Sequence, residues 1–431
     1  MNIETLHKLF LKSKGVATDT RAIKSEHLFF ALKGDNFNGN LFAEKALSKG
    51  ASYAIIDEDI LPNNDRCILV ENVLDTLQQL SSYHRTFLNI PILAITGSNG
   101  KTTSKELIYA VLKKKFETIA TIGNLNNHIG VPLTLLSMNS KTEFGIVEMG
   151  ANHPKEIEKL CEIAKPNYGY ITNFGKAHLE GFGSIEGVIL AKSELYNYLK
   201  LNRGKIFLNI DDPIQQKQSS YNDVFTFGES TEADIIIKYD NSNTLAEVEY
   251  QNSIIKSQLT GTYNAINIAA SVSIGLYFKI SLESIQKAVY NYIPKNNRSQ
   301  ILKCGSNSLL MDAYNANPTS MIAALESFKD NPAKNKIVIL GDMFELGTSS
   351  EEEHQIIVNY IETLELSKAF IVGKNFYRTK SKNEHIKKFE NFSDLQIALE
   401  SNKIQNSYIL IKGSRGMALE RVVDILKSTT R

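Results

Sequence analysis

Lys101, Thr102 and Thr103 directly follow Gly97-Ser98-Asn99-Gly100, between a short apolar run at 90–96 and a helical pattern at 104–116. In that setting each residue type has a use. Gly97 and Gly100 let the backbone turn so that successive N–H groups, with those of Ser98 and Asn99, converge on an anion. The helix N-terminus adds partial positive charge, Lys101 a full one, and the Thr102 hydroxyl can ligate Mg²⁺. The first glycine lies nearer the lysine than in G-x-x-x-x-G-K-[ST], which would need glycine in place of Ile95. A plain glycine turn capped by Ser and Thr uses similar residues, but the strand before and Lys-Thr-Thr after point to a variant ATP-binding loop.

A hard cation bridging phosphates needs a carboxylate at the C-terminal edge of the same sheet. Glu148, closing the apolar run GIVEM, is placed for this, and Asp211 and Asp212 after another run compete for the role. Glu148 also precedes Gly150-Ala151-Asn152-His153-Pro154, where Pro154 is expected at the first position of a helix. His178 and Lys192 carry no signal of their own. The first reads as a structural histidine and the second as a surface lysine on a helix. Lys113–Lys115 complement a helix C-terminus.

The elements that must position these groups are short apolar runs alternating with helical patterns. Strands are expected at 28–34, 51–57, 90–96, 145–149, 168–172 and 205–210, and again at 308–312, 336–341, 368–373 and 407–413. Helices are expected at 40–50, 73–88, 104–116 and 263–277, and near 318–328, 351–365, 393–401 and 415–427, with a hairpin over 245–259. Continuous apolar strands alternating with helices imply parallel sheets covered on both faces. The expected fold is α/β in three domains. A small N-terminal α/β domain (1–88) precedes a central P-loop ATPase-like domain with a mostly parallel sheet (89–298) and a C-terminal Rossmann-like domain (299–431).

Composition narrows the partners. Lys and Arg total 48 against 47 Asp and Glu, a net charge of +1 that argues against a general nucleic-acid binder. Cys67, Cys161 and Cys304 form no C-x-x-C pair, which fits a reducing, cytoplasmic setting. No apolar run reaches the roughly 18 residues of a membrane helix, so no membrane span is expected.

The string TGSNGKTT, shortened glycine spacing included, resembles the phosphate loop of the Mur ligases, the ATP-dependent amide-forming enzymes of peptidoglycan precursor synthesis. The resemblance runs from Thr18-Asp19-Thr20-Arg21 to Lys412-Gly413-Ser414-Arg415. NLNNHIGVPLT, EMGANHPKEI, HLEGFGS, DAYNANP and GDMFELG suit the dipeptide-adding branch. The DNPR-type string of the diaminopimelate-adding sibling is absent. The resemblance implies transfer of the ATP γ-phosphoryl group to the terminal carboxylate of UDP-MurNAc-tripeptide. The amine of D-Ala-D-Ala would then attack the acyl phosphate and release phosphate.

It also implies residue roles. Lys101 and Thr102 serve the phosphates and a first Mg²⁺, Glu148 ligates Mg²⁺, and His178 helps hold a second metal. Lys192 acts as a carbamate. Asn264 and Asn267 contact adenine, while Arg298 and Asp312 reach the phosphates and ribose across the cleft. Thr20, Arg21, Asn126 and Asn127 face the nucleotide-sugar substrate. Tyr263 stands where many members have His, which removes a polar contact from the adenine site. The domains are expected to hold the nucleotide sugar, ATP and the dipeptide in that order, in a monomer.

Overall fold

The computed structural model describes residues 1–221, 223–240 and 245–429. Its centre is a seven-stranded sheet, all parallel, in the order Ile235–Ile236, Val224–Gly228, Lys205–Asn209, Tyr168–Ile171, Ile92–Thr96, Phe144–Glu148, Thr118–Ala120. Ile92–Thr96 and Phe144–Glu148 are buried at every position, as strands covered on both faces must be. After Ile92–Thr96 the chain runs to one side of that strand, then crosses to Tyr168–Ile171 on the other. The reversal opens a crevice at the C-terminal end of Ile92–Thr96, the place where such sheets bind ligands.

Helix Lys101–Leu112 leaves this crevice and buries Leu107, Ile108, Val111 and Leu112, an i, i+4 stripe. Helix Tyr263–Tyr277 packs along it. The approach is close because residue 275 is glycine: a Cβ there would lie 2.6 Å from Val111 Cγ1. Before that helix, Leu245–Tyr250 and Ser253–Thr260 form the expected hairpin. Its two-residue loop has Gln251 and Asn252 both at positive φ (48° and 62°), the twist that antiparallel strands favour.

The N-terminal sheet is four-stranded and parallel, in the order Val16–Ala17, Leu28–Phe30, Tyr53–Ile56, Cys67–Leu69. The strand expected over 28–34 stops at Phe30, and Lys33–Gly34 pairs instead with Phe37–Asn38 in a separate ribbon. The C-terminal sheet runs Gln300–Cys304, Asn307–Asp312, Tyr408–Lys412, Lys336–Gly341, Lys368–Val372, Ile386–Phe389, parallel except at its first pair. The helix expected over 415–427 starts only at Val422, after two 3-10 turns, because Ala418 sits at φ 48° and interrupts it. The protein is thus α/β with three domains, each built on its own mostly parallel sheet.

Helix Val73–Leu88 joins the first sheet to the central one. Its Arg85 guanidinium donates to Ala164 O (3.0 Å), Lys165 O (3.1 Å) and Asn167 Oδ1 (2.8 Å). Asn167 Oδ1 in turn accepts from Ile92 N, so this contact sets the start of the central strand. Replacing Arg85 by Ala leaves buried acceptors without a donor. It is expected to cost about 2–3 kcal/mol, read as an earlier transition in urea followed by circular dichroism. An unchanged midpoint contradicts this role.

Candidate active site

The phosphate loop is shaped by contacts from outside itself. Gly97 (φ 138°) and Gly100 (φ 79°) take left-handed-side conformations, and a Cβ on Gly97 would lie 2.0 Å from Thr172 Oγ1. Thr172 Oγ1 donates to Asn99 O (2.5 Å), as does Asn173 Nδ2 (3.0 Å), while Asn173 O accepts from Ser98 N (3.0 Å). Ser98 Oγ donates to Gly175 O (2.8 Å). Gly100 is the N-cap of helix Lys101–Leu112 and has no side chain to cap it. The first-turn amides are therefore left to an outside acceptor. Lys101 Nζ folds back onto Gly97 O (2.6 Å) and Ser98 O (3.2 Å), and burial pushes its pKa down to about 8.

Beside the loop, Glu148 is buried at the end of its strand (1% exposed). Its Oε2 accepts from Thr102 Oγ1 (2.9 Å) and its Oε1 from Asn126 Nδ2 (2.8 Å). Lys105, fully buried, lies 3.9 Å from Oε2. Asp211 and Asp212 have other duties: Asp211 accepts from Glu229 N and Ser230 N, and Asp212 caps helix Pro213–Gln218. The helix after Glu148 begins at Glu156, not at Pro154. Lys155 N and Glu158 N are taken by the Glu194 carboxylate (2.7 and 3.0 Å), which caps that helix from a neighbour.

One cavity of about 1020 Å³ joins these groups to the C-terminal sheet. Ser98, Asn99, Gly100, Lys101, Thr102 and Thr103 line it, while Gly97 lies outside the lining. Across it, Asp312 and Lys412 end adjacent parallel strands in register and form an ion pair of 2.5 Å. Arg298 lies over the Tyr314 ring at 3.7 Å, and its buried Nε has no hydrogen-bond partner among the described residues. The same holds for Asn99 Nδ2. Two unpartnered donors and an uncapped helix suit an anionic ligand.

Asn264 and Asn267 line the cavity and are tied to each other, Asn267 Nδ2 to Asn264 Oδ1 at 2.9 Å. Ser104 Oγ donates to Asn267 Oδ1 (2.9 Å), which links the pair to the loop helix. Tyr263 hydrogen-bonds Ser299 Oγ (2.8 Å), and Ser299 N donates to Asp312 Oδ1 (3.0 Å). The phenol thus binds the segment entering the C-terminal sheet. Asn126 and Asn127 are in the cavity wall, although Asn127 Oδ1 is engaged by Ile129 N and Gly130 N.

His178 lines the cavity, and its Nδ1 hydrogen-bonds Glu345, whose carboxyl is held below its usual range by the imidazole. Lys192 lies behind the wall, fully buried, with Nζ on Ala151 O at 3.0 Å. Burial and then the nearby Lys101 charge drive its pKa well down. Thr20 and Arg21 lie outside the cavity wall; Arg21 pairs with Asp19 at 2.6 Å.

Sequence reasoning missed several participants. Lys105, Asn317, Thr319 and Lys412 all touch the loop, Glu148, the loop-holding segment or Asp312. Asn317 Nδ2 donates to Asn99 Oδ1 at 2.7 Å and Lys176 N to Thr319 Oγ1 at 2.9 Å. DAYNANP and KGSR contained two of these four, Asn317 and Lys412, as strings, but only the fold brings them to the site.

A sheet with a phosphate loop at its switch point, facing a second α/β sheet across one cavity, defines a nucleotide-using enzyme whose other reactant meets the nucleotide between lobes. Residues 95–275 match the Mur ligase middle domain and residues 297–415 the Mur ligase glutamate ligase domain. The UDP-N-acetylmuramoyl-tripeptide–D-alanyl-D-alanine ligase of Bacillus subtilis is 35% identical over 96% of this chain and 93% of its own. MurF from Acinetobacter baumannii has the same fold (TM-score 0.86, 28% identity, 98% of both chains). So has MurF ligase from Thermotoga maritima, in complex with ADP (TM-score 0.85, 27% identity, 98% of both chains). The chain belongs to the Mur ligase family and is an ATP-dependent ligase.

Two predictions follow from the loop. Gly97→Ala is expected to abolish nucleotide binding, because the added methyl collides with Thr172 Oγ1. Retained ADP affinity in calorimetry contradicts the loop geometry. The second concerns pH. Polyphosphate favours the Lys101 ammonium, so binding takes up a proton once pH exceeds the free-protein value of about 8. ATP affinity is expected to be level below that point and to fall toward about tenfold per pH unit above it. A dissociation constant unchanged from pH 7 to 9.5 contradicts this.

Proposed function

We propose that the protein joins D-alanyl-D-alanine to UDP-MurNAc-tripeptide, with ATP converted to ADP and phosphate, in peptidoglycan precursor synthesis. The observation that carries the reading is the single cavity lined at once by the phosphate loop, Glu148 and the Asp312–Lys412 edge. It lets one lobe hold ATP and the other present an amine to the activated carboxyl. The names of the full-length relatives support the choice of substrates.

In this reading residues 1–88 bind the nucleotide sugar, 89–298 bind ATP, and 299–431 bind the dipeptide. The terminal carboxylate oxygen attacks the γ-phosphorus as the bond to ADP breaks, giving an acyl phosphate. The dipeptide amine then attacks the acyl carbon, a proton leaves, and phosphate departs from the tetrahedral intermediate. Lys101 and the first-turn amides hold the β- and γ-phosphates, and Arg298 comes from the opposite wall to the same charge. Asn264 and Asn267 flank the adenine with Tyr263 as a packing ring, Asp312 meets the ribose, and Thr20, Arg21, Asn126 and Asn127 serve the nucleotide sugar.

Mg²⁺ would be held by Thr102 and Glu148, with His178 and a carbamylated Lys192 serving a second ion. Among the described residues no three His, Cys, Asp or Glu side chains cluster as a metal cage. That donor set fits Mg²⁺, which takes one or two carboxylates plus substrate phosphates and keeps its waters. Bound there, the ion would neutralise charge as the two anionic reactants meet. The buried, easily neutralised Lys192 amine suits carbamylation, since only the free amine adds CO₂. No helix among the described residues is long and apolar enough to cross a membrane; the proposed setting is a cytoplasmic monomer.

The test supplies ATP, Mg²⁺ and UDP-MurNAc-tripeptide with either D-Ala-D-Ala or one diamino acid, and weighs the product. A mass gain with the dipeptide alone is expected. A gain with the lone diamino acid, and none with the dipeptide, reassigns the substrate. Lys101→Ala should lower turnover by at least about 10²-fold; near-normal ligation would defeat the assignment.

A further inference from the structure

The carboxylate that holds His178 comes from the other lobe. His178 stands at φ 54°, just before the short helix Leu179–Phe182 of the central domain. Glu345, at φ 62°, lies in the loop after strand Lys336–Gly341 of the C-terminal sheet. Its side chain takes His178 Nδ1, and its backbone carbonyl accepts from Glu180 N at 3.1 Å. One residue therefore grips the histidine segment twice.

The Glu345 loop is itself anchored. Phe344 N donates to Ser414 Oγ (2.8 Å), Met343 N to His354 Nε2 (3.0 Å), and Leu346 is buried. A carboxylate only accepts, so the proton on the shared contact belongs to Nδ1. In the neutral ring that leaves Nε2 with a bare lone pair. Free imidazole side chains favour the opposite tautomer, so the choice is imposed by the partner.

We propose that Glu345 is a positioning residue for ligation: when the C-terminal lobe is docked, its carboxylate fixes His178 as the Nδ1–H tautomer and leaves Nε2 as the donor atom facing the cleft. This rests on the ligase reading above for what Nε2 meets, but the tautomer stands or falls without any reactant. Carboxylate partners of this kind orient histidines that ligate cations, and their loss costs about 10- to 100-fold in activity or affinity. The arrangement ties the ligand histidine to the lobe proposed to carry the dipeptide. It gives the enzyme a complete site only when both lobes are in place.

The experiment records ¹⁵N shifts of labelled histidines in the full chain at pH 8.5 without nucleotide or metal, His178→Gln assigning the signal. The native protein is expected to show Nδ1 protonated and Nε2 bare. Glu345→Gln should keep that pattern through its amide oxygen, and Glu345→Ala should move the proton to Nε2. In the ligation assay Glu345→Ala should lose about 10- to 100-fold in kcat, with KM for ATP little changed, and Glu345→Gln should restore most of it. Glu345 is half exposed, so neither change disturbs a core; melting curves confirm folding, and Glu345→Asp replaces any variant that fails. A doubly protonated or Nε2–H ring in the native protein, or a tautomer or kcat unmoved by Glu345→Ala, overturns the proposal. Loss of all ligation in the native protein with the tautomer intact would instead defeat the substrate reading.

Discussion

A loop that offers bare N–H groups to a polyanion cannot hold its own shape, because the bonds that would stabilise it are the ones it must leave open. Everything around residues 97–102 answers that constraint. The loop's Asn99 carbonyl is bound from the next strand end, by Thr172 and Asn173, and its Ser98 side chain by Gly175. Glycine at 97 is required for that strand end to come so near. Lys101 Nζ takes the Gly97 and Ser98 carbonyls itself, which keeps a buried ammonium hydrogen-bonded.

The segment that scaffolds the loop is also the one gripped by the C-terminal lobe. Asn317 reaches Asn99 directly, Thr319 takes Lys176 N, Glu353 pairs with Lys176 Nζ at 2.5 Å, and Glu345 takes His178. Helix Pro318–Lys329 presents two of these groups from its capped N-terminus, so they are held by regular structure. The contacts are polar and mostly partly exposed, the kind that open and close at low cost. Residues 173–180 are therefore where the C-terminal lobe meets the segment that shapes the loop.

The periodic parts of the fold were legible in the sequence. Helix Val73–Leu88 and helix Tyr263–Tyr277 lie where their spacing put them, and buried strands such as Ile92–Thr96 read as unbroken apolar runs. The strand–loop–helix setting of residues 96–103 was legible too, because its signal is local to eight residues. Short edge strands such as Thr118–Ala120 and Ile386–Phe389 were not, since three or four residues hold no period. Pro154 failed as a helix start because Glu194, from a helix almost forty residues on, supplies the cap instead. Likewise position in the sequence favoured Glu148 only modestly over the competing aspartates Asp211 and Asp212. Only the fold shows two of them engaged by backbone amides and the third facing Thr102.

The same distinction explains why a chain of net charge +1 can serve so anionic a reaction. Bulk charge acts at long range and is screened within about 10 Å in ordinary salt. The cavity works inside that distance. Lys101 and Arg298 carry charge at its walls, Lys412 is already paired with Asp312, and Glu148 sits buried against Thr102, Asn126 and Lys105. Lys101 is fixed at a helix start, and Glu148, Asp312 and Lys412 at strand ends. Two mostly parallel sheets, each ending in charged residues at one shared space, achieve locally what no excess of surface charge would.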